Sequence, residues 1–370
     1  MRRKQFSFPV NPLVGSSFSN IIALLKRHEV DPVYYPKFIL TLLIAGIFEI
    51  FNLYESIRLK KKLKETPFRE PPVFIIGFWR SGTTLLHNLM CCDPRAGYTT
   101  TFQVVFPHST ITQAWWLKKL TNLLLPANRP FDNVSMDMDF PQEEEYGMTA
   151  MQPDSLYNIF TFPRDFDSIV MNEFYTGKFE PDQLKRWQKN YLRLMKKAML
   201  NTSGERYISK NPCSLGRIEL LLSMFPDAKF IFIYRSPYQV AESLYRFMLA
   251  IFPGTQLQGV PGDFNREKIV KLYTEIMNQY FLSRPAIPQG QLIEIKMEDM
   301  VRDKFRYLER IYSDLKISGF EHAKPRFEDY LSKISDYSRE PYDVPEETYH
   351  LMNQYASGII TSLGYETQEG

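Results

Sequence analysis

The chain has 370 residues, of which 44% are hydrophobic and 24% are charged, and these proportions are typical of a folded protein rather than a disordered or fibrous one. Its 45 basic and 42 acidic residues give a net charge of +3, which is too small to predict a nucleic-acid partner. The three cysteines, Cys91, Cys92 and Cys213, are too few for a disulfide framework, so we expect a reducing compartment such as the cytoplasm.

The first predicted element is a helix in residues 1–70. Residues 38–48 form an uninterrupted apolar run, Glu49 ends it, and a basic string follows at Arg58, Lys60, Lys61, Lys62 and Lys64. The run is shorter than the roughly 20 residues that a membrane span needs, and it lacks the cleavage signal of a secretory signal peptide. Three interpretations stay open: a buried helix, an interfacial membrane helix, and a span that continues through Tyr54. A span would place the basic string and the domain after it in the cytoplasm.

From residue 71 onward, short apolar segments alternate with helical ones. The segments VFIIG at 73–77, KFIFIYR at 229–235 and QLIEIKMEDM near residue 295 predict buried strands. Helical patterns follow them in SGTTLLHNLM, PYQVAESLYRFMLAIF and FRYLERIYSDL. This alternation predicts a three-layer α/β fold with a central parallel sheet that helices cover on both faces. Residues 126–140, rich in Pro, Asn and Asp, predict a long loop.

The connection between the first strand and its helix has the composition of an anion-binding turn. It reads Gly-Phe-Trp-Arg-Ser-Gly-Thr-Thr over residues 77–84. Parallel sheets bind ligands at the carboxyl ends of their strands, and the N–H groups at a helix start attract anions. The spacing is similar to that of the nucleoside triphosphatase phosphate loop, but Thr83 stands where lysine is expected, and the cation is Arg80. We therefore predict a P-loop-like site formed by Arg80, Ser81, Gly82, Thr83 and Thr84.

Two motifs together resemble a known family. FIIGFWRSGTTLL resembles the phosphosulfate-binding loop of sulfotransferases that use 3′-phosphoadenosine 5′-phosphosulfate (PAPS), in the branch with Arg in the place of Lys, as in bacterial sulfotransferases. FIFIYRSPYQVAESLYRF resembles the family's 3′-phosphate site, where Arg235 and Ser243 match its Arg and Ser. The resemblance covers about residues 71–315, with a weak continuation through YASGIITSLGY. It implies that residues 71–370 form a sulfotransferase domain, with PAPS as donor and no metal.

The resemblance also implies roles for single residues. Arg80 and the N–H groups of residues 81–84 would hold the 5′-phosphate, and Lys210 at a strand end would reach the leaving oxygen or a sulfonate oxygen. Pro212 stands where animal cytosolic enzymes have a catalytic His, so the base must be another residue. The candidates are Glu143 and Glu145, in a string similar to a Pro-x-Glu-x-Glu element of bacterial relatives, and His108.

Further positions are less typical of the family. Met297 stands where related enzymes have the Tyr before a Glu-Asp pair, and its thioether can still lie against a purine. His87, one turn into the first helix, is expected to pack or to form a hydrogen bond rather than to catalyse.

The acceptor is predicted from the apolar character of the chain. The apolar run at 38–48 and the segment TTTFQVVF favour a lipophilic alcohol such as a sterol or lipid, and a peripheral membrane contact. Two other functions stay open at this point. One is a P-loop kinase-like phosphotransferase, and the other is a membrane-peripheral protein that binds a nucleotide without catalysis.

Overall fold

The computed structural model describes residues 11–124, 137–173, 179–334 and 343–369. Most of the predicted loop at 126–140 lies outside these described residues. The chain divides into two compact units. The first contains residues 1–67, 98–203 and 247–263, and the second contains residues 68–97, 204–246 and 264–370. The division of the chain into residues 1–70 and 71–370 as domains stays a prediction.

The elements follow one another as the alternating pattern predicts. The strands are β1 (Val73–Ile76), β2 (Ala96–Gly97), β3 (Arg206–Lys210), β4 (Lys229–Tyr234) and β5 (Leu292–Lys296). The helices up to residue 202 are α1 (Phe18–Leu25), α2 (Tyr35–Arg58), α3 (Lys60–Glu65), α4 (Thr83–Met90), α5 (Thr101–Val105), α6 (Ala114–Leu124), α7 (Glu144–Met151), α8 (Asn158–Thr161), α9 (Phe166–Glu173) and α10 (Pro181–Thr202). The later helices are α11 (Ile218–Met224), α12 (Pro237–Thr255), α13 (Arg266–Ser283), α14 (Met297–Arg302), α15 (Lys304–Asp314), α16 (Phe320–Lys333) and α17 (Glu346–Ser362).

The second unit is built on a five-stranded sheet of order β2-β3-β1-β4-β5, and its strand pairs are parallel. This confirms the predicted α/β fold with a central parallel sheet. All four residues of β1 are fully buried, and because side chains alternate between faces along a strand, both faces of the sheet are covered there. Ile75 pairs with Lys210 of β3, and Ile76 pairs with Phe232 of β4. The carboxyl ends of these three strands therefore meet at one edge of the sheet.

The first unit is helical and includes the N-terminal apolar segment. The predicted helix over 38–48 is part of α2, which packs Phe48 into a cluster with Phe102, Phe106 and Leu117. Among the residues that the structure describes, one helical stretch, Pro32–Arg58, is long and apolar enough to cross a membrane. A core helix of the same length and composition would satisfy that criterion equally well.

A buried ion pair connects α2 with α10 inside the first unit. Lys197 donates to Glu55 across 2.6 Å, and both side chains are fully buried. Lys197 also donates to the carbonyl oxygens of Pro107 and His108, at 2.7 and 3.0 Å. Burial lowers the pKa of Lys197 to about 8, although the Glu55 carboxylate opposes that shift. The pair therefore holds the chain after α5 against α2.

Candidate active site

The turn after β1 has a backbone that its glycines make possible. At Gly77 a Cβ atom would overlap the carbonyl oxygen of Ile233, so only glycine lets β1 and β4 approach this closely. Gly82 has a φ of +93°, in the left-handed region that favours glycine, and it directly precedes α4. Arg80 has a φ of +69°, which is uncommon for a residue with a side chain. Such backbone strain is found frequently at binding sites.

Hydrogen bonds distinguish the N–H group that stabilises the turn from the N–H groups at the start of α4. The Ser81 N–H donates to the carbonyl of Phe78 at 3.2 Å, so this amide closes the turn. The Ser81 side chain is buried, as is that of Thr83, whereas Thr84 is exposed. The first N–H groups of α4 have no acceptor one turn earlier in the helix, and they carry the positive end of the helix dipole. These amides suit an anion better than the Ser81 amide does.

The side chain of Arg80 links the two motifs found in the sequence. Its Nε donates to the Ser243 hydroxyl across 2.9 Å, although 163 residues separate the two positions in the chain. Ser243 is buried on α12, and Arg235 is half-buried directly after β4. A residue predicted for the 5′-phosphate, Arg80, therefore directly contacts one predicted for the 3′-phosphate, Ser243.

Lys210 is the last residue of β3, at the same edge of the sheet, and it is buried. In the strand pairing it lies opposite Ile75, the next-to-last residue of β1. Its charge reaches His87 of α4. Burial and then the positive charge of Lys210 lower the pKa of His87 well below its usual value. His87 is therefore neutral at physiological pH and fully buried, which fits the packing role expected for it.

The start of α14 supports the turn after β4. Glu298 accepts the Ser236 N–H at 3.0 Å and the Tyr365 hydroxyl at 2.9 Å. A Cβ atom on Gly82 would overlap the thioether of Met297, so that sulfur lies directly against the turn after β1. The contact of Glu298 with the backbone at Ser236 was not predictable from the sequence, because the two residues are 62 positions apart.

Next to Ser243, a buried carboxylate fixes α12. Glu242 is fully buried and accepts from Arg246 at 2.6 Å, from Arg266 at 2.8 Å and from Thr348 at 3.0 Å. Burial alone would raise the pKa of Glu242, but the hydrogen bonds from Arg266, Arg246 and Thr348 outweigh it, and the net effect is a lowered pKa. The four-residue spacing of Glu242 and Arg246 was the available sequence signal.

The two glutamates predicted as base candidates have different surroundings in the first unit. Glu143 directly precedes α7, is half-buried and accepts the Tyr157 hydroxyl. Glu145 is fully buried and accepts the Ser155 hydroxyl at 2.8 Å, and that hydroxyl also contacts the hydroxyl of Thr149 at 2.7 Å. Glu145 is therefore part of an internal network, whereas Glu143 remains partly accessible.

An aromatic cluster adjoins Glu143 through the Tyr157 hydroxyl. Tyr157, its hydroxyl partner, packs edge-on against Tyr146 with ring centroids 4.6 Å apart, and against Phe160 at 5.2 Å. Phe160 in turn contacts Phe247 at 6.2 Å. Tyr157 was not predicted as a site residue, because an aromatic residue in an apolar segment carries no motif of its own. The partly accessible carboxylate therefore lies beside the hydroxyl edge of an aromatic cluster.

His108 belongs to the segment that the buried ion pair holds. Its carbonyl accepts from Lys197, and burial together with the charges of Lys197 and Arg193 lowers its pKa to about 3. Its imidazole is therefore neutral at physiological pH and only weakly basic.

The predicted site residues thus fall into two groups. The second unit contains Arg80, Ser81, Gly82, Thr83, Thr84, Lys210, Arg235 and Ser243, and it brings them to the carboxyl ends of β1, β3 and β4. The first unit contains Glu143, Glu145 and His108.

The matches to known proteins include the residues of both motifs. A model described as "Sulfotransferase family" matches residues 71–322. Proteins named omega-hydroxy-beta-dihydromenaquinone-9 sulfotransferase Stf3, from Mycobacterium bovis and Mycobacterium tuberculosis, are each 28% identical over 95% of this chain and 91% of their own length.

Two solved structures are similar in fold. The sulfotransferase STF9 from Mycobacterium avium has a TM-score of 0.68 and 16% identity, and the match covers 95% of this chain and 91% of that one. The sulfotransferase STF1 from Mycobacterium tuberculosis has a TM-score of 0.65 and 14% identity, with coverage of 90% and 89%. At these identities the two structures support the fold alone.

Proposed function

Because this chain belongs to the sulfotransferase family and is an enzyme of that class, we propose that it transfers the sulfuryl group of PAPS to the hydroxyl of a lipophilic alcohol. The observation that carries the proposal is the hydrogen bond from Arg80 to Ser243, which joins the phosphate-binding turn to the second motif. Lys210 at the end of the neighbouring strand adds a further cation at that edge.

The residues at the edge of the sheet have the chemistry that a doubly phosphorylated nucleotide requires. We propose that Arg80 and the N–H groups at the start of α4 bind the 5′-phosphate, and that Arg235 and Ser243 bind the 3′-phosphate. PAPS supplies a sulfuryl group activated by its bond to phosphate. In this proposal Lys210 stabilises the negative charge on the leaving oxygen, and Ser81 keeps the turn closed.

Among the base candidates we favour Glu143. A general base must reach the acceptor hydroxyl, and Glu143 is partly accessible whereas Glu145 is fully buried in the network with Ser155. The imidazole of His108 is only weakly basic, because burial lowers its pKa to about 3. The Tyr157 hydroxyl would hold the Glu143 carboxylate in one orientation.

The acceptor follows from the surroundings of Glu143. The Tyr157 hydroxyl binds the proposed base, and the Tyr157 ring packs against Tyr146 and Phe160, so the base adjoins an aromatic cluster, which suits a lipophilic alcohol better than a charged saccharide. The name of the relatives at 28% identity describes a hydroxylated menaquinone derivative as their acceptor. We propose an acceptor of the same broad kind, an alcohol on an extended apolar molecule, which the enzyme would meet from the cytoplasm at a membrane surface.

The two alternative functions receive less support. A kinase-like phosphotransferase would need a cation in the place of Thr83, and family membership favours sulfuryl transfer. A non-catalytic nucleotide-binding protein would have no need of a buried Lys210 at the strand end.

The assignment of the 3′-phosphate site can be tested by calorimetry with 3′-phosphoadenosine 5′-phosphate and with adenosine 5′-phosphate. Arg235→Ala should weaken the first nucleotide by roughly 10- to 150-fold, because a hydrogen bond to a charged group contributes about 1.5–3 kcal/mol. It should leave the weaker binding of the second nucleotide unchanged. The matched control is Arg302→Ala, whose guanidinium is 80% exposed on α14. Equal affinity of the wild type for both nucleotides would contradict the assignment.

A further inference from the structure

The outer face of α2 is apolar and exposed along its length. Its large side chains recur every three or four residues and are each 40–73% exposed, at Ile39, Leu40, Leu43, Ile47, Ile50, Leu53, Tyr54 and Ile57. At 1.5 Å per residue, this face is about 27 Å long. It leaves on the order of 800 Å² of apolar surface exposed, whereas the largest apolar patch on a typical soluble monomer is about 300–600 Å².

The inner face of the same helix is fixed inside the first unit by polar contacts. Thr41 accepts the Asn11 N–H at 2.9 Å, and Glu55 accepts the N–H groups of Ile111 at 2.9 Å and Thr112 at 2.7 Å, besides its ion pair with Lys197. A membrane span would bring this ion pair and the loop backbone into hydrocarbon, where irregular backbone is not tolerated against lipid. The helix can therefore meet a membrane only along its side.

Neighbouring residues extend this face and add positive charge. The ring of Phe18 on α1 lies beside Gly46 of α2, where a Cβ atom would come within 3.2 Å of it. From there Ile22 and Leu25 continue along the exposed side of α1 at 52% and 41% exposure. The basic residues that follow the two helices are exposed: Lys26, Arg27, Arg58, Lys60, Lys61, Lys62 and Lys64. Apolar side chains bordered by cations match the interface of a bilayer that contains anionic lipids.

We propose that the outer faces of α1 and α2 form a docking surface for an anionic phospholipid bilayer, with α2 lying in the plane of the membrane interface. Of the three interpretations that the sequence left open, the contacts of the inner face argue against the span and the exposure of the outer face argues against the buried helix, so the interfacial helix is favoured. The proposal rests on the proposed function only for its purpose, the delivery of a lipophilic acceptor. The docking itself does not depend on catalysis and can be measured without it.

The test is flotation of the full-length protein with vesicles of phosphatidylcholine alone and with 30% phosphatidylglycerol added (roughly a bacterial anionic content). The wild type should float with the anionic vesicles, and Leu43→Ser/Ile50→Ser should lower its partition coefficient by roughly 10- to 100-fold. The matched control is Leu282→Ser, because Leu282 is 72% exposed on α13 and Ile50 is 73% exposed on α2. Lys60→Ser/Lys61→Ser/Lys62→Ser should lower binding to the anionic vesicles only.

Several results would overturn the proposal. They are the absence of wild-type flotation, unchanged flotation of the double variant, equal binding of the wild type to both vesicle types, or a dimer in solution that the double variant separates into monomers. Retention of the wild type by vesicles after carbonate washing would show a span instead of an in-plane helix. Unchanged affinity of the double variant for 3′-phosphoadenosine 5′-phosphate establishes that it is folded. Failure of docking with intact nucleotide binding would leave the proposed function standing.

Discussion

The replacement of Glu143 by Gln separates the proposed base from its buried neighbour. Gln keeps the size of the side chain and still offers an oxygen to the Tyr157 hydroxyl, so the packing should persist while the proton acceptor is lost. General base catalysis contributes about 10²–10⁴-fold, and we expect kcat to fall by that factor. The affinity for the nucleotide should stay unchanged, because the nucleotide is proposed to bind at the sheet edge.

Glu145→Gln is the matched comparison two residues away. Glu145 accepts a hydrogen bond from Ser155, and an amide oxygen in place of the carboxylate weakens that bond by about 1 kcal/mol. For a unit of this size, such a loss lowers the melting temperature by about 2–4 °C. Activity at lower temperature should remain.

Single-turnover rates and melting curves of both variants distinguish the two residues. A normal rate in Glu143→Gln, or a rate loss in Glu145→Gln that exceeds that of Glu143→Gln, would refute the assignment of Glu143 as the base.

Two further predictions concern stability. Lys197→Met should destabilise the protein by about 3–5 kcal/mol in urea unfolding, because Glu55 is left buried without its cation. The double variant Lys197→Met/Glu55→Leu should recover part of that loss. Additive effects of the two substitutions would contradict the coupling. The pKa of Glu242 is lowered in the folded protein, so its ionised carboxylate stabilises the fold above about pH 4.5. That stabilisation is lost as the pH falls through the folded-state pKa. Glu242→Gln should therefore show a smaller decrease in melting temperature between pH 6 and pH 3 than the wild type does. Parallel curves for the two proteins would contradict that sign.

The sequence predicted the parts of the fold and site that short segments encode. The strands β1 and β4 are buried on both faces along most of their length and therefore read as continuous apolar runs, and the turn after β1 has the glycine spacing of an anion site. In β5 only Ile293 and Ile295 are buried, and the strand alternates in sequence. The strand β2, with two residues, is too short to show any pattern. Direct contacts between distant segments were not predicted either, such as the hydrogen bond from Arg80 to Ser243, because the resemblance assigned these two residues to different phosphates.

The apolar helix near the N-terminus shows a different limit. Hydrophobicity identified the helix but not which side of it is buried, because α2 is apolar on both sides. The side that packs into the first unit is marked by Thr41 and Glu55, which are buried against partners far away in the chain. Glu143 and Glu145 show the same limit. They belong to one acidic string in the sequence, and only their contacts with distant residues distinguish the half-buried Glu143 from the fully buried Glu145.

The most direct test of the central claim is a transfer assay with PAPS that carries radiolabelled sulfur. The purified full-length enzyme would be incubated with the labelled donor and a set of hydroxylated acceptors that includes isoprenoid alcohols, sterols, hydroxylated quinones and soluble saccharides. We expect labelled ester only on the lipophilic alcohols. Lys210→Ala should transfer the label more slowly than the wild type does. Transfer of phosphate from ATP in place of labelled sulfur from PAPS, or label on no acceptor hydroxyl, would contradict the account.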